Sequence, residues 1–186
     1  MAEVVSLWLP VLVSAVVVFL VSSVIHMVIP WHKGDYKTVP NEDGVMAALR
    51  PFGLAPGDYM MPRPASMKEM GSPAFAEKAR LGPRVVMTVL PAGSMSMAKN
   101  LAGWFVYLLI VACLSGCVGA LALAHDAHDH DVFHIILLTA FMGYAAALWQ
   151  MAIWYNRSIG TTIRSTIDGL IYALITAAVF THLWPR

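Results

Sequence analysis

Between Glu3 and Lys33 the chain has no Asp, Glu, Lys or Arg. Similar intervals separate Lys99 from Asp126, Asp131 from Arg157, and Arg164 from Arg186, the last interrupted only by Asp168. Crossing about 30 Å of hydrocarbon takes roughly 20 apolar residues as a helix, and each interval is long enough. Composition agrees: 59% of residues are apolar and 12% charged, against roughly 45–50% and about 25% in a soluble domain. Disorder is excluded and a soluble fold disfavoured. The expected class is an all-α integral membrane protein, a four-transmembrane-helix bundle surrounded by lipid bilayer. Residues 1–30 supply transmembrane helix 1 and 31–99 a loop subdomain. Residues 100–186 supply a three-helix region with spans at about 101–124, 132–155 and 164–184. The first interval lacks a basic n-region and an A-x-A-type cleavage site and is too long for a signal-peptide h-region, so it is expected to stay attached.

Lys and Arg set the direction, because cytoplasmic loops retain them. Nine lie within 31–99 and two more, Arg157 and Arg164, in the third connection, out of 12 in all. The connection from His125 to Asp131 has acids and histidines but no basic residue. The N- and C-termini and this short connection are therefore expected outside, periplasmic or equivalent, and 31–99 in the cytoplasm. Trp8 and Trp184 would mark the outer surface, and Trp31, Trp104, Trp154 and Tyr155 the inner one.

The 31–99 segment holds eight of the 11 prolines and eight of the 12 methionines. Asn41, Glu42 and Asp43 ahead of an apolar stretch and Pro51 predict an N-capped short helix. Ser72-Pro73, with Gly82-Pro83 ten residues on, predicts another. Residues 58–61 and 84–90 are strand candidates bounded by Pro and Gly. Together they suggest a small α+β cytoplasmic cap whose thin core depends on docking.

Membrane helices associate through close backbone approach at small residues. Ala112, Gly116, Ala120 and Ala124 recur every four residues in the second span, and Gly169, Ala173 and Ala177 in the fourth. These stripes suit packing within the bundle or against another subunit, which makes a membrane-protein partner or a homo-oligomer the expected company. A formal net charge of +1 gives no reason to expect nucleic acid.

Two clusters bear on chemistry. His125, His128, Asp129, His130, Asp131 and His134, with His182 at a similar depth, combine imidazoles and carboxylates that suit a divalent metal. The plainer reading, preferred here, is a hydrated acidic turn that ends two helices. A bis-histidine haem between His134 and His182 has no supporting motif. The second cluster surrounds Asp168, well inside a span, where an ionised carboxylate must be paired or neutralised. Arg164 lies at i−4, and His26 and Gln150 fall near the same depth, so an intramembrane polar cluster of His26, Gln150, Arg164 and Asp168 is expected. It would serve either as a structural lock, the preferred reading, or for proton or ion handling.

Pro30 to Tyr36 reads as an interfacial anchor of aromatic and snorkelling side chains. Met60-Met61 and Met95-x-Met97 could act as soft Cu(I) ligands, but packing is the simpler role. Cys113 and Cys117 share a helix face deep in lipid, where they act as small apolar residues. No phosphate-cradling loop, nucleophile elbow or HExxH motif occurs, so no catalytic residue is assigned. The expected function is that of a non-catalytic accessory, assembly or scaffolding subunit of a membrane complex. A small proton-coupled or metal-ion transporter is the alternative.

Overall fold

The structure is a computed structural model and describes residues 4–93 and 96–185. Arg186 and Met95, named above for topology and for copper, lie outside the described residues. The chain forms two compact units, Thr38–Met95 and a helical unit made of the residues on either side of it.

In the helical unit, α1 is Trp8–Met27, followed by a 3-10 turn at Pro30–His32. In the other unit, α2 is Glu42–Leu49, β1 Gly57–Met61, α3 Met67–Met70, α4 Pro73–Leu81 and β2 Val85–Val89. The helical unit resumes with α5 at Met97–Ala122 and α6 at Asp129–Phe141. A π-helical turn at Met142–Ala146 leads to α7 at Leu148–Tyr155, and α8 is Ile159–His182. Trp8–Met27, Met97–Ala122, Asp129–Tyr155 and Ile159–His182 are each long and apolar enough to cross a membrane.

Lipid offers no hydrogen bonds, so polar groups must be satisfied within the helices. Ser23 Oγ donates to Phe19 O at 2.8 Å and Thr176 Oγ1 to Tyr172 O at 2.8 Å. Ser96 caps α5, its hydroxyl accepting from Lys99 N at 3.3 Å, and Ser158 caps α8, accepting from Thr161 N at 3.5 Å. The cap at Ser158 starts α8 five residues ahead of the position expected from charge, which leaves Arg164 in the second turn of the helix. Asn156 ends α7 at φ 53°, in the left-handed region that Asn tolerates as a helix stop.

The spans pack as a ring in the order α1, α5, α6, α8, with α8 closing against α1. The small-residue stripes face inward: Ala112, Gly116 and Ala120 of α5 and Gly169, Ala173 and Ala177 of α8 are all buried. At Gly169 an added Cβ would stand 2.7 Å from Ala145 Cβ, and at Gly116 3.0 Å from Phe180 Cε1. Helix approach at these points therefore depends on the missing side chains. Ala124 is exposed, and its carbonyl accepts from Trp184 Nε1 at 3.3 Å. Trp184, expected in an aromatic belt, is thus turned inward and buried against Gly119. Trp104 is likewise engaged, donating from Nε1 to Ser22 Oγ at 2.9 Å. Trp8 and Trp154 remain exposed.

The π turn admits one residue more than an α-turn would, and within it Gly143 O accepts from Tyr107 Oη at 2.6 Å. Such turns occur as single bulges within α-helices.

In the Thr38–Met95 unit, β1 and β2 pair antiparallel from Gly57↔Val89 to Met61↔Val85, and Thr88 Oγ1 donates to Asp58 Oδ1 at 2.7 Å. Ser72 caps α4 by accepting from Phe75 N at 3.2 Å. Asn41 precedes α2 in a left-handed conformation and its side chain makes no cap hydrogen bond, unlike the cap read from its sequence. Among the described residues of this unit none is buried.

Candidate functional site

The site lies at the end of the helical unit where α1 stops and α8 begins. Asp168 is on the third turn of α8, 4% exposed, and a carboxylate so placed requires a partner. That partner comes from beyond the end of α1. The Pro30–His32 turn folds the chain back on itself, so that His32 Nε2 stands 2.8 Å from Asp168 Oδ2.

The opposite ring nitrogen, His32 Nδ1, is 2.7 Å from Asp35 Oδ2. Asp35 in turn accepts from Arg164: Nε is 2.9 Å from Asp35 Oδ1, and Nη2 donates to the same oxygen. The network runs Asp168, His32, Asp35, Arg164. With His32 protonated it holds two positive and two negative charges, and its formal sum is zero. Burial acts to raise the Asp35 carboxyl, but the hydrogen bonds from His32 and Arg164 together hold it below its ordinary value.

His26 lies beside this network on the last turn of α1, its ring centroid 4.6 Å from that of His32 with the rings tilted 46°. Each of His26, His32 and Asp168 presents a ligand atom within 4.8 Å of the other two. Among the described residues this is the group of three such side chains that converges so closely. His26 is exposed, His32 half-buried and Asp168 buried.

The expected intramembrane cluster is thus rearranged. His26 and Asp168 are brought together, Arg164 turns to Asp35, and Gln150 lies exposed on α7. His32 and Asp35 read as parts of an interfacial anchor in the sequence, yet they supply the contacts that Asp168 and Arg164 need. No signal in the sequence singled them out, because Arg164 and Asp168, one turn apart in α8, could balance each other.

At the other end of the bundle the histidines and acids are spread out. His125, His128 and Asp129 line an open depression with Asp126 and Ala127. The rings of His130 and His134 lie with centroids 4.1 Å apart and planes tilted 36°, but His134 Nδ1 is spent on His130 O at 2.7 Å. His130 Nδ1 lies 3.4 Å from Asp131 Oδ1, and His182 Nδ1 donates to Ala178 O at 2.9 Å. Helix-terminal acids such as Asp129 and Asp131 suit the positive end of the α6 dipole.

Between these ends Trp104, Tyr107, Tyr144 and Tyr172 form an aromatic cluster, with ring centroids from 5.4 to 6.2 Å apart. The Tyr144 and Tyr172 hydroxyls are buried without a hydrogen-bond partner among the described residues.

No protein-family model, curated protein or solved structure matches the chain. What the site does must follow from its own chemistry.

Proposed function

We propose that this chain is a non-catalytic integral membrane protein, an accessory or assembly subunit that fixes a partner at the cytoplasmic face of the bilayer. In this reading both termini lie outside and Thr38–Met95 inside. The observation that supports it is the Thr38–Met95 unit itself, which buries none of its described residues while Phe52 and Leu81 are exposed. A unit with so little core gains stability from what it docks on. The network from Asp168 to Arg164 would then be a lock that ties the start of α8 to the chain leaving α1. Buried ionic groups are best attested in such register-setting roles.

A second reading, a small metal-ion or proton-coupled transporter, draws on the convergence of His26, His32 and Asp168. Intramembrane ionisable residues commonly mark ion pathways. Purification from native membranes in mild detergent, followed by identification of co-purifying proteins, separates the two. A stoichiometric membrane-protein partner lost on deleting residues 41–90 is the expected result. A chain that purifies alone and carries ion flux in proteoliposomes would overturn the accessory reading.

A further inference from the structure

We infer that His26, His32 and Asp168 form a binding site for a divalent transition ion of the zinc class, with Asp35 as the residue that positions His32. Two imidazoles and one carboxylate are borderline donors suited to such ions, and three protein ligands leave a fourth position for water. This assignment concerns the site alone and holds whether the chain serves a complex or moves the ion.

The geometry supports it in three ways. First, the ligand atoms already converge to within 4.8 Å of one another. Zinc–ligand bonds of about 2.0–2.2 Å place tetrahedral neighbours about 3.3–3.6 Å apart. His32 Nε2 and Asp168 Oδ2, at 2.8 Å, would separate by about 0.5–0.8 Å to admit the ion. His26 closes on them from an exposed position at the helix end.

Second, His32 is already oriented as a metal-bound histidine is. Metal-ligating imidazoles almost always give their other N–H to a carboxylate or carbonyl, which fixes tautomer and ring plane. Here Nδ1 faces Asp35 at 2.7 Å, leaving Nε2 for the ion, and Asp35 is itself held by Arg164 Nε at 2.9 Å.

Third, the charges are sorted. Arg164 is turned to Asp35, so the nearby cation faces the positioning carboxylate and the Asp168 carboxyl is left to the site. Without metal, the short contact between His32 Nε2 and Asp168 holds a proton. Binding exchanges that proton for the ion: one hydrogen bond is lost, two bonds to the metal replace it, and the proton goes to solvent.

The test uses full-length protein in detergent, stripped with a chelator and titrated with Zn2+, and with Co2+ as a spectroscopic probe. Wild type should take up one equivalent of Zn2+, and the Co2+ adduct should show the intense visible bands of a four-coordinate site. H26Q leaves the Asp168–His32–Asp35–Arg164 network whole, so it should fold normally and lose Zn2+ uptake. H32Q should lose uptake as well. D35N should retain the site but weaken Zn2+ binding by about 10–100-fold and shift the Co2+ bands, as loss of an outer-shell carboxylate does. The double variant H130Q/H134Q should bind as wild type does. No uptake by wild type, equal uptake by H26Q, or uptake abolished by H130Q/H134Q would overturn the site. An unchanged affinity and Co2+ spectrum in D35N would overturn the role given to Asp35.

Discussion

His32 Nε2 and Asp168 Oδ2 meet at 2.8 Å although 136 residues of chain separate them. The first and last spans are joined here by a pair of which one member is buried and the other half-buried, and several consequences can be measured.

Removing one member of this pair strands the other. Asp168→Asn and His32→Gln should each lower stability in detergent by about 1.5–3 kcal/mol, the range for hydrogen bonds to charged groups. The double variant should lose less than the sum, with a coupling of about 0.5–3 kcal/mol. Thermal or denaturant unfolding of the four proteins closes the cycle, and strict additivity would show that the contact contributes nothing.

Acid should weaken the same end of the bundle through Asp35. Its carboxyl is held below the ordinary value of 3.8, so folding favours its charged form. The stabilisation is complete above the unfolded value and disappears as pH falls through the lower folded value. Unfolding midpoints measured from pH 7 down to about 2.5 should therefore fall at the acid end in wild type. In D35N that part of the fall should be missing, and an identical acid limb would assign it to other carboxylates.

Arg164→Lys should not behave conservatively. Arg164 addresses Asp35 through both Nε and Nη2, a fork that a lysine ammonium cannot reproduce. We expect R164K to destabilise nearly as much as R164Q and to move the acid limb of stability upward in pH. A lysine variant as stable as wild type would mean that charge alone suffices.

Packing variants should divide sharply by position. Gly169→Ala places a Cβ 2.7 Å from Ala145 Cβ, and overpacking of this kind costs about 1–3 kcal/mol. Gly103 has nothing within 4 Å of an added Cβ, so Gly103→Ala should be neutral or gain up to about 1 kcal/mol from helix propensity. Unfolding midpoints moving in the same direction for both would refute the close α8 approach.

Orientation is open to labelling in a background without Cys113 and Cys117. His125→Cys should react with a membrane-impermeant maleimide from outside the cell, and Ala76→Cys only after the membrane is opened. The reverse pattern would invert the topology.

The four spans were legible because the thickness of hydrocarbon sets a length and forbids charge, so intervals between charged residues measure helices directly. The need of Asp168 for a partner was legible for the same reason. Its partner was not, since Arg164 at i−4 on the same helix was the nearer candidate in sequence and only the turn at Pro30–His32 brings His32 into reach. Nor was the π turn at Met142–Ala146 visible, because an apolar span keeps no solvent face against which a change of register would show. The outer histidines made a conspicuous pattern in one dimension, but the rings of His134 and His182 are turned to their own helix carbonyls.

The separation of His32 and Asp35 from Asp168 and Arg164 also bears on how the protein is made. Chains leave the ribosome N-terminal end first, so the α1 side of the network is in place long before α8 is translated. Of the four spans α8 is the least apolar, and a charged residue at a helix centre raises insertion cost by about 2.5–3.5 kcal/mol. Pairing with His32 and Asp35 would offset part of that cost. If the spans enter the bilayer in chain order, the joining of α8 to the chain beyond α1 comes last, and a product cut short before Ile159 would keep the His32–Asp35 pair but lack the Asp168 and Arg164 that complete it.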